Sequence, residues 1–263
     1  MLEQVFERAR GRGRSAFIPY VMAGDPDLAT TGAILGALSD CGVDAIELGI
    51  PYGDPLADGP TIARAGVRAL GNGVEIEDVF ALVRSSLDRR GVPIVLFTYF
   101  NPVYQFGVDR FAREASAAGA CAVIVPDIAF EEARELRATL ATANVQMPLL
   151  VAPSTPIERA QAIAAQSGGF VYVVSRLGVT GAKTEPDFAP LRAQIAALRT
   201  VTSKPLAVGF GVSTPAHVAA VAPLADGIIV GSALIDAYAG FTGEEAARRA
   251  RRFVEPLLEA TQR

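Results

Sequence analysis

Apolar residues along this chain gather into eight short runs separated by longer amphipathic stretches. The runs are AFIPYVM from residue 16, DAIELGI from 44, IVLFTYF from 94 and CAVIVPD from 121. They continue with QMPLLVA from 146, FVYVVS from 170, PLAVGFG from 205 and DGIIVGS from 226. Near-continuous apolar runs of this length, rich in β-branched residues, read as strands buried on both faces. The stretches between them, such as LATTGAILGALSDCG and DRFAREASAAGA, read as helices. Eight strands alternating with helices predict parallel βα units and a (β/α)8 barrel. The alternative is a doubly wound open sheet, but its G-x-G-x-x-G turn is missing after the first strand. No Gly/Ser/Pro-rich linker interrupts the rhythm, so residues 1–263 read as one domain. Before the first strand, Leu2, Val5, Phe6 and Ala9 follow helical spacing and predict an extra N-terminal helix lying on the core.

The spacing of the runs locates the chemistry. Successive strands start 28, 50, 27, 25, 24, 35 and 21 residues apart. The connections after strands 2 and 6 are therefore oversized, and loops that follow strands lie on the face where barrel active sites are built. The second oversized loop, SRLGVTGAKTEP, is rich in glycine and small residues and reads as a mobile lid. The first, ELGIPYGDPLADGP, places Glu47 at the end of an apolar strand and Asp58 in a Pro/Gly-stiffened loop. A strand-end carboxylate among Ile46, Leu48 and Ile50 is disfavoured as an ion, which suits a group that gives and takes a proton near neutrality. The competing reading of Glu47 is an ion-paired structural acid. That of Asp58 is turn chemistry beside Gly and Pro.

Tyr20, Tyr99, Asn101, Asp127, Tyr172 and Ser175 fall at or just past other strand ends and point to the same mouth. Tyr172 is a candidate for a hydrogen bond to substrate or to Glu47, whereas Tyr20 and Tyr99 read as an aromatic wall. Asp127 reads as orienting neighbouring loops. Strand 7 runs into GFGVSTPA and strand 8 into ADGIIVGSA. Gly209 and Gly211 let backbone N–H groups approach an anion, and Gly231-Ser232 opens a helix whose first amides favour phosphate. Barrels often bind phosphate at these two loops. The alternative is glycine used only for tight turns.

Composition narrows the chemistry further. A net charge of −4 gives no support to nucleic-acid binding, and no apolar run is long enough to span a membrane. The acidic, run-free N-terminus does not read as a signal peptide. Cys41 and Cys121 sit beside or inside apolar runs and read as buried thiols in a reducing compartment, consistent with a cytoplasmic protein. With His217 as the single histidine, a histidine triad or a multi-histidine metal site is excluded, and no metal is expected. His217 itself reads as a surface or packing residue. Of 24 basic residues only Lys183 and Lys204 are lysines. Lys204 precedes strand 7 at the wrong end of the barrel and Lys183 rides on the second loop, so an imine mechanism is not expected. Any carbon–carbon bond broken here needs an electron sink within the substrate itself.

ELGIPYGDPLADGPTI, AGDPD, FNPVYQFGVDRF, VPDIAFEE, SRLGVTGA, GFGVS and ADGIIVGSA together resemble the tryptophan synthase alpha chain family. The resemblance runs in order along essentially the whole chain and is most specific over 47–62 and 178–182. It implies a barrel that cleaves indole-3-glycerol phosphate into indole and glyceraldehyde 3-phosphate. It assigns acid–base chemistry to Glu47 and indole binding to Asp58, with Tyr172 beside them. It also places Thr180 in the closing loop and Gly181, Gly211, Gly231 and Ser232 around the phosphate. It further implies a beta-chain partner carrying pyridoxal phosphate in an α2β2 assembly, with no cofactor on this chain. Gly53 and Ala129 depart from the Ser and Pro often found in the family, and Met22 and Leu177 replace residues polar in some relatives. Another phosphate-binding barrel enzyme, a free-standing lyase and an idle regulatory subunit are the alternatives.

Overall fold

All eight apolar runs form strands, each parallel to its neighbours. They are β1 (Ala16–Met22), β2 (Ile46–Gly49), β3 (Ile94–Phe97), β4 (Ala122–Ile124), β5 (Leu149–Val151), β6 (Val171–Val174), β7 (Leu206–Gly209) and β8 (Gly227–Val230). The computed structural model describes residues 2–90, 92–175 and 187–263. Ladders join the strands in the order β4-β3-β2-β1-β8-β7-β6-β5. The two ends of that order meet through a bridge between Ala122 and Gln146, where Gln146 N–H donates to the Cys121 carbonyl. The sheet thereby closes into the predicted barrel. Nearly every strand residue is buried, as expected when helices cover the outside and side chains fill the inside.

The helices are α1 (Leu2–Gly11), α2 (Leu28–Cys41), α3 (Pro60–Gly71), α4 (Ile76–Arg90), α5 (Phe100–Phe106) and α6 (Val108–Ala118). They continue as α7 (Arg134–Thr142), α8 (Ile157–Gln166), α9 (Ala189–Arg199), α10 (Pro215–Val221), α11 (Ser232–Tyr238) and α12 (Gly243–Glu259). Helix α1 buries Leu2, Val5, Phe6 and Ala9, the stripe that its spacing predicts. The surplus after β2 divides into the loop 50–59 and an additional helix, α3, which starts at Pro60. The loop after β6 falls largely on 176–186, outside the described residues.

Every strand except β1 is shorter than its apolar run, and in two of them a single residue accounts for a lost end. The third run extends to Phe100, yet β3 stops at Phe97 because Asp127 accepts the Phe100 N–H at 2.9 Å and caps the start of α5. The fifth run begins at Gln146, but Pro148 has no N–H to give the ladder and β5 starts after it. Both cysteines are free thiols, Cys121 buried and Cys41 half-buried.

Candidate active site

Glu47 is the second residue of β2, in register with Tyr20 on β1 and Val95 on β3. It is 2 % exposed, and its Oε2 is buried without a hydrogen-bond partner among the described residues. A structural acid would be ion-paired, and that carboxylate oxygen has no such partner. Burial pushes its carboxyl up to about 8, and the negative charge of Asp58 adds to the effect. Asp58 is half-buried in the loop after β2. Burial raises it to about 6, against a lowering hydrogen bond from the Tyr99 hydroxyl. The two acids therefore sense one another and titrate apart.

Tyrosines surround this pair. Tyr172 and Tyr20 are buried, and each is held well above the usual phenol range by burial together with the charges of Glu47 and Asp58. Their rings occupy space that two glycines leave open. A Cβ on Gly49 would lie 2.1 Å from the Tyr20 hydroxyl, and one on Gly209 would lie 2.2 Å from that of Tyr172. Gly209 thus makes room for Tyr172, a role distinct from the anion approach expected of it. Tyr99 stands at the end of β3 with its ring against Tyr52 (5.3 Å) and Phe97 (6.2 Å), and its hydroxyl accepts the Ala57 N–H at 3.1 Å. The aromatic wall extends through the Tyr20–Phe97 pair at 5.9 Å. The hydroxyl contacts of Tyr99 and the stacking of Tyr52 have no signal in the local sequence, because both depend on where two separate strands end.

On the adjacent strands β7 and β8, Gly211 has φ +83° and is exposed, Gly231 precedes α11, and Ser232 begins it. Phe210 also lies in the left-handed region, at φ +71°, and turns its ring toward Tyr172 (6.0 Å). The chain therefore turns sharply at the end of β7, through two successive residues in the left-handed region. Thr180, Gly181, Leu177 and Lys183 lie outside the described residues. Ser175 donates to the carbonyls of Gly209 and Phe210 and so ties β6 to β7, while Asn101 lies exposed on α5. His217 sits on α10 with its ring near Phe188, as a packing residue does. Met22 is buried beside Tyr20 and Gly66.

Lys204 Nζ donates to the carbonyls of Ser167 and Ala165 at the barrel end opposite Glu47. Among the described residues no group of three or more His, Cys, Asp or Glu side chains can hold a metal ion, and no helix is long and apolar enough to cross a membrane. A cavity of about 750 Å³ opens at that same far end, beside Arg137, Gln146 and Gln166. Another of about 400 Å³ lies between Leu70, Ile76 and Phe106. Neither contains Glu47 or Asp58.

Comparison with known proteins converges on one group. The family profile described as tryptophan synthase alpha chain matches residues 6–262. A tryptophan synthase alpha chain of Rippkaea orientalis is 44 % identical over 256 residues, covering 97 % of this chain and 96 % of its own. One of Chloroflexus aggregans is 44 % identical over 264 residues, covering 100 % and 98 %. A solved structure of Mycobacterium tuberculosis tryptophan synthase superposes with a TM-score of 0.90 at 39 % identity, covering 100 % of this chain and 98 % of that one.

Proposed function

The chain belongs to the tryptophan synthase alpha chain family, and from that premise we propose that Glu47 and Asp58 perform its cleavage chemistry. The reaction is a lyase step of tryptophan biosynthesis, cleaving indole-3-glycerol phosphate to indole and glyceraldehyde 3-phosphate. Indole is a poor leaving group until its C3 is protonated, which makes the ring a cationic electron sink. Near neutral pH Glu47, at about 8, carries the proton that C3 needs, while Asp58, at about 6, is ionised. Glu47 donates to C3, and Asp58 accepts the indole N–H and stabilises the positive charge that develops there. Loss of the proton from the hydroxyl on the carbon attached to the ring then forms the aldehyde. The electrons of the breaking carbon–carbon bond return to the indole. That hydroxyl proton restores Glu47, so the proton count closes within one residue.

The remaining assignments follow the family resemblance. Tyr172 stands beside the acids, Tyr20 and Tyr99 line the ring site, and Gly211, Gly231 and Ser232 hold the phosphate together with Thr180 and Gly181. Residues 1–263 form one domain acting in the cytoplasm. The alpha chain family works with a beta chain, and we take the assembly to be α2β2 with pyridoxal phosphate on the beta chain and none here. Support for a docking face comes from Leu56, Val67 and Tyr104, which are 80 %, 63 % and 63 % exposed on the loop 50–59, α3 and α5.

The observation that carries the reading is the buried Glu47 carboxyl oxygen that lacks a partner among the described residues, near enough to Asp58 for that acid to raise its pKa. Indole release by Glu47→Gln tests it. The variant should fold and lose at least ~10²-fold in kcat, the usual scale for a lost general acid–base. Near-normal turnover by a folded variant overturns the assignment.

A further inference from the structure

Asp58 sits in a loop that no strand or helix encloses, yet its task requires a fixed position. The loop 50–59 carries Pro51 and Pro55 but few backbone hydrogen bonds; Asp58 N–H reaches the Pro55 carbonyl only at 3.3 Å. What holds its tip is a residue from another strand. The Tyr99 hydroxyl accepts the Ala57 N–H at 3.1 Å and donates its own proton to the Asp58 carboxylate. One phenol oxygen thus satisfies a backbone donor and a side-chain acceptor on consecutive residues, using its donor and acceptor capacity together. Its ring, 2 % exposed, is wedged against Tyr52 from the same loop and against Phe97 from β3. The next residue, Phe100, is anchored by Asp127, so the tyrosine stands on a rigid strand end.

Resting on the assignment of Asp58 above, we propose that Tyr99 is a positioning residue, whose hydroxyl clamps Ala57 and Asp58 and fixes the carboxylate for the indole N–H. This goes beyond the apolar wall that its ring provides. Hydrogen bonds to a charged group are worth enough that losing one such clamp lowers turnover by about tenfold or more. The titratable groups facing Asp58 are Glu47, Tyr20, Tyr99 and Tyr172, and Asp127 acts on Tyr99 from its other side. Of these, only the Tyr99 hydrogen bond favours the ionised form of Asp58.

Tyr99→Phe keeps the ring and removes the clamp, and is to be assayed in complex with the beta chain. We expect kcat to fall by roughly tenfold with KM changed by less than about twofold, because the fault lies in the transition state. The acidic limb of the pH profile should move upward, since Asp58 loses the bond that holds its pKa down. In an Asp58→Asn background the same substitution should add less than about a twofold loss, because the hydroxyl acts through that carboxylate. Hydrogen exchange at the Ala57 amide should also quicken, a readout independent of activity. Equal losses in both backgrounds, or an unmoved acidic limb with unchanged Ala57 exchange, overturn the clamp alone. A fully active Asp58→Asn enzyme overturns the clamp and the assignment of Asp58 together.

Discussion

Two carboxylates share one largely buried mouth, and on the proposed assignment their separation in pKa lets one chain supply both an acid and a base. The values of about 8 and about 6 belong to the coupled pair, so activity should follow a bell between them. Asp58→Asn removes the negative charge that helps to raise Glu47. Its acidic limb should vanish and its basic limb should move to lower pH, alongside a severe loss of kcat; a basic limb left in place refutes the coupling. The same shifts bear on stability, and the sign is opposite to that of a salt-bridged acid. The native state holds the Glu47 proton more tightly than the unfolded chain, so rising pH between about 4.5 and about 8 progressively destabilises the fold. Glu47→Gln should therefore gain on the natural chain as pH rises, by roughly 4–5 kcal/mol near pH 8.5, with little gain below pH 5. Denaturant melts at the two pH values check this, and a gain that does not grow with pH contradicts it. The acidity of Glu47 was legible in the sequence, because desolvation inside an apolar strand raises any carboxyl that lacks a cation beside it. The hydroxyl of Tyr99 was not, since its partners lie some forty positions away in a loop whose path only the closed barrel defines.

At the level of elements, the eight strands could be read directly because parallel strands are buried on both faces and leave uninterrupted apolar runs. Short helices were harder to separate. The helices α5 and α11 have seven residues each, and α5 begins where the Asp127 carboxylate, from after β4, accepts the Phe100 N–H. The two glycines of GFG look alike in sequence but do different work. Gly209 yields its side-chain space to Tyr172, while Gly211 sits exposed at φ +83° on the rim. A β-branched residue at Gly211 meets backbone strain and would block anion approach at the proposed phosphate site. Gly211→Val should raise KM for the phosphorylated substrate by roughly tenfold, the scale of one or two weakened phosphate contacts, and leave the pH profile in place. Gly209→Ala should instead lower kcat, because the added methyl displaces the Tyr172 hydroxyl. Measured kinetics for the pair decide the division of labour: equal effects on KM return Gly209 to the phosphate site. A crystal soaked with glycerol phosphate gives the direct view, and density away from the ends of β6, β7 and β8 removes the cradle altogether.

For the whole molecule, the face that carries the chemistry also carries unusual apolar exposure. Leu56 lies two residues before Asp58, and Tyr104 lies on the helix that Tyr99 heads. Large side chains exposed this far on one face are costly for an isolated chain unless something covers them. A partner seated there would press on the loop that holds Asp58, and the proposed docking would then be mechanically joined to the catalytic geometry. The proposed product supplies a reason for such an arrangement: indole is small and membrane-permeable, and direct delivery to a partner would prevent its loss. The isolated chain should then show low activity, and a cognate beta chain should stimulate it. Leu56→Asp should weaken the complex by at least about tenfold, as expected when a buried apolar anchor becomes a charge, while the isolated chain keeps its basal rate and its fold. Light scattering on mixtures of the purified chains, read alongside indole formation, separates the outcomes. A species containing two copies of each chain with faster indole release supports the α2β2 assembly. No complex at micromolar concentration, together with full activity of the chain alone, would instead identify a free-standing lyase whose exposed leucine and tyrosine serve some other contact.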